Sequence, residues 1–170
     1  MEGFIRTALT NFSVTMLVVA LIAALIAYWS HPPPRSRAGL VEALFASYLL
    51  FAVGVGFLYN FVMHVFFGPF VAAFIGWQPS PFQAEVGFAS LGFGVVGLIA
   101  ARGSYGMRAA AVVGPSLFLL GAAAGHIHQM ITAGNFAPGN AGSVFWTDIL
   151  GPLIGFALLW LARPASKPAH

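Results

Sequence analysis

The sequence predicts an all-α integral membrane protein, a helical bundle of five transmembrane helices, and three observations carry that prediction. Hydrophobic residues make up 59% of the chain and charged residues only 6%, against roughly 25% charged in an average soluble domain. Mean hydropathy is +0.89, so a soluble fold is close to excluded. The apolar residues also fall into five runs, each long enough to cross a hydrocarbon core of about 30 Å. Across 170 residues those runs leave no room for an extramembrane catalytic domain, so 1–170 reads as a single transmembrane domain.

The first helix is expected over about 12–29. It stops at Ser30-His31-Pro32-Pro33-Pro34-Arg35, where three prolines prevent helix continuation and begin an extended linker over 32–38. A signal peptide fits this run poorly, because it is long for such a segment, Arg6 alone precedes it and no small-x-small site follows. The second helix is expected over about 40–67, with Glu42 in its first turn, where a helix favours negative charge. Gly68-Pro69 breaks it. The apolar piece 70–75 is too short to cross and reads as a bent continuation or an interfacial segment. Gly76-Trp77-Gln78-Pro79-Ser80-Pro81 then forms a tight, uncharged turn.

Three further helices are expected over about 82–101, 107–131 and 144–161. The link 102–108 is short and basic, whereas 132–143 is uncharged and rich in turn formers. Pro115 and Pro152 fall inside helices, which membrane helices tolerate when neighbours satisfy the freed carbonyls. Helices two to five form the expected core, with helix one peripheral behind its proline linker. No long-period repeat and no domain boundary interrupts the chain.

Five crossings put Arg35, Arg37, Arg102, Arg108, Arg163 and Lys167 on one side and Arg6 on the other. By the positive-inside rule the N-terminus is outside and the C-terminus inside, with a bacterial cytoplasmic (inner) membrane as the expected location. The net charge of +3 is spread over helix ends, so it reports topology and not a nucleic-acid partner. Membrane lipids are the expected surroundings, with a homo-oligomer or a larger membrane complex as the assembly. Cysteine is absent, which removes disulfides, thiolate metal sites and c-type haem attachment.

Placed by a rise of about 1.5 Å per residue, the intramembrane polar residues converge on one depth near the outer face. His64, Gln83, Glu85, His126, His128, Gln129 and Asp148 share that layer, with Asn135 and Asn140 in the loop above it. The chain has only four acidic residues, two of them here, and carboxylates at such depth usually face a bundle interior. Glu85 shares a helical face with Ala89 and Gly92, and Asp148 with Gly151 and Gly155, small residues that permit close approach. His126 and His128 are about 200° apart on a helix, so one of them is expected to point away. Ala122, one turn before His126, favours His126 slightly, whereas His128 lies nearer the Gly121 and Gly125 face, and the choice stays open.

Imidazole with carboxylate suits a divalent first-row metal ion, and His64, Glu85, His126 and Asp148 are the candidate ligands. A bound ion would serve as Lewis acid or activate a water, although no His-Glu-x-x-His or Glu-x-x-His pair supports a familiar catalytic centre. Whether the chain is an enzyme stays open. The same layer, including Gln83, His128, Gln129, Asn135 and Asn140, reads alternatively as a ligand site or as a self-satisfied hydrogen-bond network in an accessory subunit. A proton-coupled carrier is a further reading. Haem b between His64 and a helix-four histidine fits less well, since haem needs no carboxylates. Trp29, Trp77, Trp146, Trp160 and the phenylalanines are expected to face lipid or its interfaces, and His31 and His170 to be solvated.

The stretch Gly76-Trp77-Gln78-Pro79-Ser80-Pro81-Phe82-Gln83-Ala84-Glu85-Val86, with Gly125-His126 and the loop from Gly134-Asn135 to Ala141-Gly142, resembles a family of small bacterial multipass membrane proteins of unknown function. The resemblance covers about 40–162 and leaves the first helix outside. It implies that Trp77, Pro79, Pro81, Gln83, Glu85, His126, Asn135, Pro138, Asn140 and Asp148 form a shared feature. It implies no activity.

Overall fold

A computed structural model describes residues 2–164, all of whose regular elements are helical. Lys167 and His170 lie outside the described residues. The helices are α1 (Glu2–Thr10), α2 (Phe12–Ser30), α3 (Arg37–Phe66), α4 (Gly68–Ile75), α5 (Phe82–Ala100), α6 (Tyr105–Ala133), α7 (Pro138–Ala141) and α8 (Ser143–Leu161). Five helices are long and apolar enough to cross a membrane, α2, α3, α5, α6 and the run Pro138–Leu161 that contains α7 and α8. The chain is an integral membrane protein.

Helix ends follow local chemistry. α3 begins three residues before the expected 40 because Ser36 caps it, its hydroxyl accepting the Gly39 N–H at 3.0 Å. Ser104 caps α6 in the same way through the Met107 N–H, at 3.4 Å, which moves that start from 107 to Tyr105. α4 and α6 end on Gly76 (φ 72) and Gly134 (φ 59), a left-handed conformation that glycine adopts without a Cβ penalty. The segment 70–75 is a separate short helix, and α1, unexpected from the sequence, precedes the first crossing.

α3 and α5 approach almost backbone to backbone. A Cβ on Gly97 would lie 2.7 Å from the Gly54 nitrogen, and one on Gly94 would lie 2.9 Å from Leu58 Cγ. With Gly87 and Ser90, these residues form a stripe at helical spacing that is the buried face of α5. Over Tyr48–Val55 α3 widens into π-helical turns, and there Tyr48 donates its hydroxyl to the Gly151 carbonyl at 2.9 Å, tying α3 to α8 beside Pro152. Phe45, Leu49, Val53, Phe57, Val112 and Leu158 fill the apolar core around this contact.

Helix one is tied into the bundle at the other end. The Phe12 ring stacks on Tyr59 at 3.8 Å, Tyr59 donates to the Leu9 carbonyl at 3.2 Å, and Ser143 donates to Asn11 at 2.7 Å. Of this helix only Ala20 and Ala24 are buried, so it lies at the bundle's edge, while stacking and hydrogen bonds fix its start against α3 and α8.

Arg35, Arg37, Arg102, Arg108 and Arg163 gather where α2, α5 and α8 end and α3 and α6 begin. Arg108 is 8% exposed and does more than report topology. Its guanidinium makes two 2.6 Å bonds to the Glu42 carboxylate and donates to the carbonyls of Ala100 (3.3 Å) and Ala101 (3.0 Å). It thereby satisfies the last carbonyls of α5 and joins α3, α5 and α6.

Candidate functional site

The polar residues at the opposite end are organised around Asn140. The turn after α4 and the loop after α6 face each other there, and α7 seats Asn140 fully buried between them. Its Nδ2 donates to the carbonyls of Asn135 (2.9 Å) and His126 (3.2 Å), which orients the amide and leaves Oδ1 as acceptor. Trp77 Nε1–H donates to that oxygen at 3.0 Å, and His126 Nδ1 lies 2.8 Å from it. Asn135 in turn donates to the carbonyls of Ile75 (2.9 Å) and Gly76 (3.2 Å) and accepts the Ala137 N–H at 3.0 Å. One asparagine pair therefore closes the α4 turn, the α6 end and the α7 loop onto one another.

Because Asn140 Oδ1 accepts, His126 Nδ1 carries the proton in this bond. The other ring nitrogen, Nε2, faces Asp148 Oδ2 at 3.6 Å across a gap longer than a hydrogen bond. Both side chains are buried, at 6% and 10% exposure. A bare imidazole nitrogen opposite a carboxylate repels it, so attraction between the two requires one further proton on the pair. Asp148 shares the buried face of α8 with Gly151, Gly155 and Leu158.

The remaining candidates disperse. His64 is half-buried and its Nδ1 lies 2.6 Å from Gln83 Oε1, a link between α3 and α5. Glu85 is exposed, correcting the expectation that it faces the interior. The reason is rotational: Gly87 sits on the face packed against α3, and a residue two positions earlier points about 160° away from it. Ala89 and Gly92 are exposed on Glu85's side. His128 is exposed and His126 buried, as their angular separation requires; Gly121 is exposed with nothing within 4 Å of an added Cβ. Gln129 contributes its carbonyl, which accepts the Asn135 N–H at 3.2 Å.

Among the described residues no three His, Asp or Glu side chains are placed to hold one metal ion. The four expected ligands therefore do not meet: His126 and Asp148 face each other at 3.6 Å, His64 turns to Gln83, and Glu85 leaves the bundle. Among the same residues every fully enclosed side-chain nitrogen and oxygen has a hydrogen-bond partner.

Sequence reasoning missed the inward role of Trp77, expected at an interface, whose indole instead packs 5.6 Å from the His126 ring and donates to Asn140. Its place in a Gly-Trp turn was visible, but its partner is 63 residues away. The Asn60 to Ser90 bond (2.9 Å) and the Glu42 pairing with Arg108 are equally non-local.

No curated protein and no solved structure matches the chain. A family model matches residues 10–168, extending the resemblance seen over 40–162 to include α2, which packs with the rest. With nearly its whole length matched, from before the first crossing to beyond the last, the chain belongs to DUF6790, a family of unknown function.

Proposed function

We propose that this protein is a structural or accessory membrane subunit in which the residues bonded to Asn140 form a hydrogen-bond lock, holding the loop end of the bundle in one shape for assembly with other membrane chains. The single observation that carries this reading is Asn140, fully buried and bonded to Trp77, His126 and Asn135. A network with its bonds already made rigidifies and specifies, and a bound ion would have to break it. The exposed face with Glu85, Ala89 and Gly92 supports an assembly role, because small residues let a second helix approach and a carboxylate in the membrane favours a polar partner. The chain has no cysteine, so Gly92→Cys introduces a single cross-linking site. Oxidation in native membranes should trap a disulfide-linked dimer, or a bifunctional thiol reagent a defined heteromer. A purified monomer carrying a stoichiometric metal ion lost in His126→Ala would overturn the reading.

The positive-inside pattern supports an outer location for the lock, in a cytoplasmic membrane of bacterial type. A second reading is favoured by one observation, the 3.6 Å gap between His126 and Asp148. A buried pair that needs a proton to attract is a relay element, as intramembrane Asp and His are in proton-coupled carriers. Proteoliposomes in which the wild type collapses an imposed pH gradient and Asp148→Asn does not would favour the carrier over the lock.

A further inference from the structure

At the arginine end α3 and α8 part around a pocket of about 390 Å³ lined by Arg37, Ala38, Val41, Trp160, Leu161 and Arg163. Deeper along the same pair of helices a second cavity of about 300 Å³ lies between Leu44 and Tyr48 of α3, Ile154 and Leu158 of α8, and the 14–21 stretch of α2. Val41 precedes Leu44 by one turn and Leu158 precedes Leu161 by one turn, so the two cavities lie one turn apart along the seam between α3 and α8. Their chemistries differ sharply. The deeper stretch is lined by aliphatic side chains and the Tyr48 ring, whose hydroxyl is already bonded to Gly151.

The mouth is cationic. Among the described residues neither Arg37 nor Arg163 pairs with a carboxylate, and Glu42, the acidic residue of α3, is committed to Arg108. Arg163 lies over the Trp160 ring, 4.5 Å from its centroid, which holds the guanidinium at the pocket wall. Arg37 and Ala38 also open a 30-residue helix, whose first-turn amides have no intrahelical acceptors and whose positive pole attracts anions.

We propose that this cleft binds an anionic phospholipid, its phosphate between Arg37 and Arg163 and one acyl chain along the apolar stretch below. A basic pocket between helices at a membrane face has the chemistry of a phospholipid head-group site. A soluble phosphate would leave the apolar stretch unused.

The test is native mass spectrometry of the full chain released from mild detergent after equilibration with phosphatidylglycerol or phosphatidylcholine of identical chains. At roughly fivefold per arginine, the wild type should retain phosphatidylglycerol about 25-fold better. The Arg37→Gln/Arg163→Gln double variant should retain both lipids equally while keeping the wild-type unfolding temperature. Excess glycerol 3-phosphate should not displace the bound lipid. Equal retention of the two lipids by the wild type, a preference that survives in the double variant, or displacement by glycerol 3-phosphate would each overturn the proposal. The wild-type comparison decides it even if the variant unfolds.

Discussion

Asn140 has one side-chain carbonyl oxygen and one amide group, and the fold uses both ends of it, so its loss leaves several buried partners unbonded at once. Asn140→Leu strands the Trp77 indole N–H and the His126 Nδ1–H without an acceptor, at about 1–3 kcal/mol for each buried donor. The unfolding temperature in detergent should fall, and Trp77 fluorescence should shift to the red as the indole loosens. His128→Ala and Glu85→Gln remove exposed side chains, and each should leave stability within about 0.5 kcal/mol. A loss at His128 as large as at Asn140 would contradict the assignment of His126 as the inward histidine. That one of the two histidines must point away follows from helical geometry; which one depends on the rotation of α6, set by neighbours that local spacing does not name.

Between elements, the tightest constraint is the α3 and α5 contact. Gly97→Val puts a branched side chain where the Gly54 backbone already lies, and overpacking of this kind costs about 1–3 kcal/mol or more. Gly92→Val, on the opposite side of the same helix where an added Cβ meets nothing within 4 Å, should leave the monomer unchanged while lowering the disulfide yield of an Ala89→Cys chain, whose thiol stands on the same exposed face. Comparing unfolding temperatures, and cross-linking yields in the Ala89→Cys background, of the two valine variants separates internal packing from assembly. The Glu42 and Arg108 pair is the second inter-helix constraint. With the Glu42 side chain 58% exposed, solvent screening limits its worth, and Glu42→Gln should lower stability by about 1 kcal/mol, read from the same thermal unfolding. Small residues on both faces of α5 made its buried face ambiguous in the sequence: Glu85, Ala89 and Gly92 form as good a stripe as Gly87, Ser90, Gly94 and Gly97. Contact with Gly54 and Leu58, more than 35 residues earlier, selects between them.

For the whole molecule, the two ends of the bundle have opposite characters. One holds the asparagine lock and few charges; the other holds Arg35, Arg37, Arg102, Arg108 and Arg163, with the lipid cleft proposed between α3 and α8. The orientation proposed from this asymmetry predicts that a fusion after His170 reports from the cytoplasm, and activity of a periplasm-specific reporter at that site would reverse it. Hydrophobic length and proline placement made the five crossings legible, because spanning a membrane is a constraint on local composition that each segment must meet alone. That the polar residues share one end of the bundle was legible too, since rise per residue converts position into height along a helix. Azimuth was not. Whether Glu85 faces lipid, whether His64 meets Gln83 or a metal, and whether Trp77 turns inward to Asn140 depend on how each helix is rotated about its axis. That rotation is set by contacts between residues far apart in the chain, so the tertiary structure alone decided which polar residues became one site.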